Sequence, residues 1–195
     1  MGMHDTSGRW KVAVGAVVIQ LCLGAIYAWS VFTPDLEDAG WSKVETQVVF
    51  GVALATFAVV MVLAGGRLAT WGPRRLALGG GVVLGAGYAI ASIDGGTTFF
   101  WVLLGVGLVG GAGIGLAYVV PIAVGMRWFP DHKGMITGVA VAGFGFGAVG
   151  GMKLAGAWGG LIDEIGLDGT FRTYGITFAA QGGLGSIAMV LPPDG

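Results

Sequence analysis

Six long apolar stretches, almost free of charge, restrict the fold of this chain more than any other feature of its sequence. They lie at roughly 12–33, 44–64, 76–93, 98–121, 135–157 and 171–191. About 20 consecutive apolar residues suffice for an α-helix to cross the hydrocarbon core of a bilayer. The pattern therefore predicts an all-α membrane protein in which residues 1–195 form one bundle of six transmembrane helices.

The composition agrees with this prediction and excludes several other classes of protein. Charged residues make up 11% of the chain, against about 25% in a typical soluble domain. No basic cluster forms a nucleic-acid-binding surface, and the net charge is -1. Cys22 is the single cysteine, and the two histidines, His4 and His132, both lie outside the apolar stretches. The sequence therefore predicts no metal site, no cofactor, no catalytic residue and no enzymatic activity.

Glycine is abundant, with 40 residues, and its spacing indicates how the helices pack. Two sets of glycines lie four residues apart: Gly107, Gly111 and Gly115 in one apolar stretch, and Gly143, Gly147 and Gly151 in the next. Such stripes of small residues let two helix backbones approach closely in lipid. Two GxGxxG patterns, at 105–110 and 145–150, lie inside the same stretches. We assign them to helix packing, because the dinucleotide-binding motif requires a preceding strand.

Short segments between the apolar stretches carry signals that end and start helices. Ser42 is a predicted N-cap for the second helix, and Gly72-Pro73 is predicted to separate the second helix from the third. Turns are predicted at 94–96 and 130–134. The helices are therefore joined by short connections.

The basic residues predict how the bundle is oriented. With the N-terminus inside, the cytoplasmic segments hold Arg9, Lys11, Arg67, Arg74, Arg75, Arg127 and Lys133, and the opposite side holds Lys43 and Arg172. Cytoplasmic loops are enriched in Lys and Arg. We therefore expect a multi-pass protein of the cell (plasma) membrane with both termini in the cytoplasm.

Three polar residues in the apolar stretches are candidates for a binding site. Tyr27 and Tyr118 each end a Gly-x-x-Tyr sequence, in the first and fourth stretches, which correspond if the six helices form two inverted triplets. Each tyrosine is either packed at an interface or lines a cavity with its hydroxyl group. Gln20 lies seven residues before Tyr27 and so is predicted on the same helical face. A neutral amide in a span favours a polar partner or a wet cavity.

Lys153 lies inside the fifth apolar stretch, whereas Glu45 and Arg172, the other charged residues within these ranges, are each the second residue of theirs. A lysine in a span is by default a functional candidate. It also lies 19 residues after Gly134, or about 29 Å along a helix. That position is close to the outer interface, where a long side chain can extend to water. An anion-attracting role and a simple interfacial position both stay open.

Several short runs together carry a family resemblance. They lie at 24–32 and 40–42, at 66–68 and 72–75, and at 118–123, 127–131 and 142–148. In combination they resemble the oxalate/formate antiporter group of the major facilitator superfamily. The loop at 66–75 departs from the superfamily pattern, because Ala69-Thr70-Trp71 stands where an aspartate is usual. The family has twelve helices in two related halves, and this chain resembles the N-terminal half.

The resemblance implies a fold of two inverted three-helix repeats and a secondary active transporter of small organic anions. The expected cargo is an oxalate- or formate-type carboxylate, carried by alternating access. In the resembled group the main cations that pair with the carboxylate lie in the other half. The resulting candidates are Gln20, Tyr27, Tyr118 and Lys153 for substrate binding, and Arg67, Arg74 and Arg75 for gating at the cytoplasmic loop.

The expected partners are the lipid bilayer, the carboxylate and a second six-helix half. That half is a separate chain, a second copy or a missing C-terminal portion. Two alternatives stay open: a truncated or accessory membrane module that does not transport, and half of a monocarboxylate transporter of the lactate or pyruvate type. The sequence decides neither the anion, nor antiport against proton symport, nor the oligomeric state.

Overall fold

A computed structural model describes residues 6–155 and 160–192. Within these residues every regular element is a helix, as the sequence predicts. The main helices are α1 (Thr6–Gly24), α2 (Trp29–Asp38), α3 (Lys43–Trp71), α4 (Pro73–Ala91), α5 (Phe99–Val102), α6 (Gly111–Trp128), α7 (Lys133–Ala155) and α8 (Leu161–Ile187). A 3₁₀ turn, Ala25–Ala28, joins α1 to α2, and a π-helical segment, Leu103–Gly110, joins α5 to α6.

Four helical stretches in the described residues are long and apolar enough to cross a membrane. They are Gly8–Asp38, Lys43–Trp71, Phe99–Trp128 and Pro130–Lys153. They coincide with the predicted spans 12–33, 44–64, 98–121 and 135–157, although residues 156–159 lie outside the described residues. The predicted spans 76–93 and 171–191 coincide with the helices α4 and α8. Helix formation is thus observed there, and a count of six spans stays a prediction.

The helix ends follow the predicted signals. The Ser42 hydroxyl accepts a hydrogen bond from the Glu45 backbone N–H, and the Glu45 side chain accepts one from Ser42 N–H at 2.8 Å, which forms a capping box. Gly72 separates α3 from α4 with a φ of 80°. A left-handed turn at 94–96 precedes α5. α8 begins at Leu161, ten residues before the predicted span, and is interrupted at Gly166, where φ is 71°.

Close backbone contacts hold the bundle together, and glycine makes them possible. α4 packs along α8, and a Cβ added at Gly81 would lie 2.7 Å from Gly182 Cα. One predicted stripe packs on α3, where a Cβ at Gly111 would lie 2.6 Å from the Ala53 carbonyl oxygen. The other stripe packs on α1, with Gly147 against the Leu21 backbone. Both predicted packing faces are confirmed, and van der Waals contact is the force that such faces supply in lipid.

A group of five buried aromatic rings fills the space between α2, α4 and α8. We call it the closed aromatic cluster: Phe32, Tyr88, Phe171, Tyr174 and Phe178. Phe32 stacks on Phe171 with ring centroids 5.0 Å apart, and Tyr88 meets Phe178 edge-on at the same distance. The Tyr174 hydroxyl donates a hydrogen bond to the Gly151 carbonyl at 2.6 Å and so ties α8 to α7.

Candidate functional site

Tyr27 and Tyr118 meet at a single ring, that of Phe144 in α7. The Tyr27 centroid lies 5.4 Å from the Phe144 centroid, and the Tyr118 centroid lies 5.1 Å from it, both in edge-on geometry. Edge-on contacts are a favourable arrangement of aromatic quadrupoles. Two tyrosines that are 91 residues apart in the chain are therefore brought into one small region of the bundle.

Helix α3 completes this group with two phenylalanines. Phe50 lies 6.1 Å from Tyr27, and Phe57 lies 5.1 Å from Tyr118. We call the five rings the open aromatic cluster: Tyr27, Phe50, Phe57, Tyr118 and Phe144. Tyr27 is 44% exposed, and Phe50, Phe57 and Tyr118 are half-buried. The 3₁₀ turn and the helices α3, α6 and α7 thus each supply a ring to one partly open surface.

The backbone at 24–28 explains how Tyr27 reaches this surface. Gly24 packs directly against the carbonyl group of Phe144, where any Cβ would overlap that oxygen. The chain then tightens into the 3₁₀ turn, in which each residue turns by about 120° instead of the 100° of an α-helix. Tyr27 lies in this turn, where its ring contacts Phe144 and is 44% exposed.

Gln20 lies on the same side of α1 but below the surface. Its side chain is fully buried, and a Cβ at Gly143 would lie 3.3 Å from Gln20 Cβ. Neither the amide nitrogen nor the amide oxygen has a hydrogen-bond partner within the described residues. An unsatisfied buried polar group typically costs about 1–3 kcal/mol. Gln20 thus lies against Gly143 of α7, the residue before Phe144, but it does not share the open surface of Tyr27.

A cleft of about 280 Å³ opens beside Tyr27, between the first helical stretch and α3. Its polar lining consists of Ser30, Thr33 and Gln47 together with Tyr27. Ser30, Thr33 and Gln47 are not among the site residues predicted from the sequence. A signal was present, because Tyr27, Ser30 and Thr33 are spaced three apart and so share one helical face. The cleft offers hydroxyl and amide donors next to aromatic walls.

Lys153 lies apart from both tyrosines. It occupies the last turn of α7 and is half-buried. Nine residues separate it from Phe144, which corresponds to about 14 Å along the helix. The structure therefore does not bring Lys153 into contact range of the open aromatic cluster.

The three candidate gating arginines lie together at the turn between α3 and α4. Arg67 places its guanidinium 5.4 Å from the ring centroid of Trp71, and Arg74 and Arg75 follow Pro73 in the first turn of α4. All three are exposed. In the described part of the chain no carboxylate lies within ion-pair distance of them. The loop that carries them lacks the aspartate that is usual in the resembled family.

The described residues contain no group of three or more histidine, cysteine, aspartate or glutamate side chains that could hold a metal ion. Cys22 is buried in α1, and its thiol donates to the Phe178 carbonyl at 3.6 Å. The described residues of the site offer neutral hydrogen-bond donors and aromatic edges, and among them no nucleophile lies next to a base. Such a surface is suited to reversible binding.

Comparison with known proteins agrees with this assessment. The family model of the Major Facilitator Superfamily matches residues 8–194. An uncharacterized MFS-type transporter, YhjX of Escherichia coli, is 30% identical over 172 residues, which cover 86% of this chain and 40% of the relative. The oxalate:formate antiporter of Oxalobacter formigenes is 27% identical and covers 72% of this chain and 34% of its own length. Human monocarboxylate transporter 11 is 26% identical and covers 99% of this chain and 41% of its own length.

The chain thus spans about two-fifths or less of the length of these curated relatives. The family match, in contrast, includes nearly every residue of the chain. The family match and the transporters among the relatives make it a membrane protein of a transporter family and not an enzyme. The chain belongs to the Major Facilitator Superfamily.

Proposed function

We propose that this chain is the N-terminal half of a secondary active carrier that moves small organic anions of the oxalate and formate type. One observation carries the proposal: Tyr27 and Tyr118 meet at Phe144 on a partly open surface to which four helical segments contribute. The oxalate:formate antiporter among the relatives supports the choice of substrate class. The carrier would alternate access by rocking this bundle against a second one.

The chemistry of the cluster suits a small carboxylate. Phenol hydroxyls donate hydrogen bonds to carboxylate oxygens, and charge-assisted bonds of this kind are stronger than neutral ones. The edges of aromatic rings carry partial positive charge and favour an anion at that position. Ser30, Thr33 and Gln47 add donors in the neighbouring cleft. Neutral donors hold an anion weakly enough for release, and the cationic partners would come from the second half.

The packing supports a bundle of six spans arranged as two inverted triplets. In such a repeat each helix of the first triplet corresponds to one of the second, and the proposed exchange of the two triplets pairs α1 with α6, α3 with α7, and α4 with α8. It converts the contact of α1 with α7 into that of α6 with α3, and the contact of α1 with α8 into that of α6 with α4. The contacts of α4 with α8 and of α1 with α6 map onto themselves. A pattern of neighbours that survives this exchange is what an inverted repeat requires.

The second half is part of the proposal, as a separate chain, another copy of this one or the remainder of a longer protein. The exposed Arg67, Arg74 and Arg75 are proposed to gate the carrier by contacting that half at the cytoplasmic side. The excess of Lys and Arg at this end supports an orientation with both termini in the cytoplasm of a plasma membrane. Gln20 and Lys153 are proposed as secondary contributors to anion binding.

Uptake of radiolabelled oxalate and formate into proteoliposomes tests the proposal. The chain is reconstituted together with its partner half, and uptake is measured with and without an internal load of the counter-anion. We expect saturable uptake that depends on the internal load, and we expect Tyr27→Phe with Tyr118→Phe to abolish it. Absence of uptake with every candidate second half would overturn the proposal.

Monocarboxylate transport is the second candidate for the substrate. The relative that matches 99% of this chain is named as a monocarboxylate transporter, which supports this alternative. Lactate and pyruvate also carry one carboxylate and a polar neighbour, for which the same hydroxyl donors are suitable. Competition of unlabelled lactate or pyruvate against labelled oxalate in the same vesicles distinguishes the two, because the preferred anion competes at the lower concentration.

A further inference from the structure

An open apolar groove runs between α1 and α8 at the end of the bundle where α1 begins. Its volume is about 780 Å³, within the range of about 300–1,000 Å³ usual for sites that hold a medium-sized organic molecule. The floor forms where the two helices approach closely, because a Cβ at Gly15 would lie 3.2 Å from the Gly185 carbonyl oxygen. The walls are side chains that point away from the core, among them Val14, Leu184 and Ile187.

The walls of the groove lie on the outer surface of the bundle. Val14 is 63% exposed and Leu184 is 67% exposed, and both line the groove. From Lys11 to Val18 the groove follows α1 over seven residue-to-residue steps, or about 10 Å. One leaflet of a bilayer core is about 15 Å thick, half of the usual 30 Å. The groove therefore has the direction and most of the length of an acyl chain in one leaflet.

Among the described residues, the charge at the mouth of the groove has one sign. Lys11 is the single charged residue of that lining, and no described acidic residue accompanies it there. The adjacent Arg9 is already engaged, since its Nε donates to the Trp128 carbonyl at 2.7 Å and its guanidinium lies 4.8 Å from the Phe129 ring centroid. Lys11, in contrast, is exposed and makes no hydrogen bond or ion pair within the described residues. It is available to an anion at this level.

Tryptophans mark the same level as a membrane interface. Trp10 is 63% exposed beside Lys11, and Trp128 lines the groove while its Nε1 donates to the Val190 carbonyl at 2.8 Å. Tryptophan concentrates at the headgroup level of bilayers. A cation and two indole rings thus stand above an apolar groove, which is the order of chemistry along a glycerophospholipid, from phosphate to acyl chain.

We propose that this groove is a binding site for an anionic glycerophospholipid, whose phosphate pairs with Lys11 and whose acyl chain lies between Val14, Val18 and Leu184. The site lies on α1 and α8, away from the open aromatic cluster, and so it is independent of which anion the carrier moves. Binding there would add to the contact of α1 with α8 at the end of the bundle where α1 begins. The lipid is recognised by charge at one end and by shape at the other.

The test is lipid retention by the purified full chain, measured by native mass spectrometry in detergent. Palmitoyl-oleoyl phosphatidylglycerol is compared with phosphatidylcholine that carries the same acyl chains. We expect phosphatidylglycerol to be retained at least fivefold more. Lys11→Gln should remove about a fivefold preference, the usual contribution of one basic residue near an anionic headgroup, and should leave phosphatidylcholine retention unchanged.

A second variant tests the apolar part of the site. Val14→Trp fills the groove from an exposed position and should lower retention of both lipids at least tenfold. The matched controls are Lys133→Gln, exposed at the same end but outside the groove lining, and Val82→Trp, exposed on α4. Both controls should behave as wild type. Equal retention of the two lipids by the wild type, or equal losses in the control and groove variants, would overturn the proposal.

Discussion

The two aromatic clusters contain the same number of rings but differ in what surrounds them. In the closed aromatic cluster every ring is at most 5% exposed, whereas Tyr27 in the open aromatic cluster is 44% exposed. The closed cluster is built by α2, α4 and α8. The open cluster is built by the 3₁₀ turn at 25–28 and the helices α3, α6 and α7.

This difference indicates that the closed cluster stabilises the fold and that the open cluster is able to bind a ligand. Rings that are packed on all sides gain dispersion contacts but reach no ligand. Rings that retain free edges and hydroxyl groups at a surface keep the capacity to bind. The pairing of α4 with α8 behind the closed cluster therefore supports the four segments that carry the open one.

The largest effect is expected from Phe171→Ala in the closed cluster. Phe171 is fully buried and touches both Phe32 and Tyr88, so its loss leaves an enclosed void. Truncation of a buried phenylalanine typically costs about 3–5 kcal/mol. The free energy of unfolding in mixed micelles measures this loss. The control is Phe50→Ala, at a half-buried position that borders an open cleft, and we expect it to cost less than half as much. Equal losses would contradict the distinction between the clusters.

The next effect concerns transport by the reconstituted carrier. Tyr27→Phe and Tyr118→Phe each remove one hydroxyl group and keep the ring. We expect each to lower kcat/KM for the anion by about tenfold, or about 1.4 kcal/mol of binding in the transition state. The free energy of unfolding should change little, because neither hydroxyl makes a hydrogen bond that holds helices together in the described residues.

Tyr174→Phe is the matched change in the closed cluster and should behave in the opposite way. Its hydroxyl donates to the Gly151 carbonyl at 2.6 Å, so its removal should cost about 1 kcal/mol of stability. The kcat/KM of transport should stay within twofold of wild type. A variant of Tyr27 or Tyr118 that unfolds easily, or a Tyr174 variant that transports poorly at full stability, would reverse the assignment of the two clusters.

The sequence predicts the helices and their packing better than it predicts the binding surface. Apolar length, the Ser42 cap and the four-residue glycine spacing are local signals, and the structure confirms them. The 3₁₀ turn at 25–28 and the π-helical segment at 103–110 have no such signal, because they depend on close approach to another helix. Gly24 meets the Phe144 backbone, and Gly105 meets that of Gly87. The contacts of Phe144 with both tyrosines also depend on the packing of separate helices, so the sequence does not predict them.

A smaller effect is expected at Gln20, which is buried like the closed cluster but lies next to a helix of the open cluster. Gln20→Met keeps the length of the side chain and removes a buried amide that lacks a partner. We expect the free energy of unfolding to rise by about 1 kcal/mol. If the amide meets the anion or its water when the bundle opens, transport should slow severalfold in the same variant. Greater stability with unchanged transport would remove Gln20 from the substrate site.

The smallest effect is expected at Lys153, where distance limits what the charge can do. At about 14 Å, two unit charges interact by about 0.3 kcal/mol in water and by more where the dielectric constant is lower. We expect Lys153→Gln to raise KM by about two- to threefold at low ionic strength, with kcat unchanged. The difference should vanish in about 1 M salt, where the screening length falls to about 3 Å. Lys133→Gln, at the opposite end of α7, should leave KM unchanged.

A tenfold loss of kcat in Lys153→Gln would instead require direct contact with the substrate. An unchanged KM at low salt would leave Lys153 as an interfacial residue, because the attraction proposed here acts only through charge.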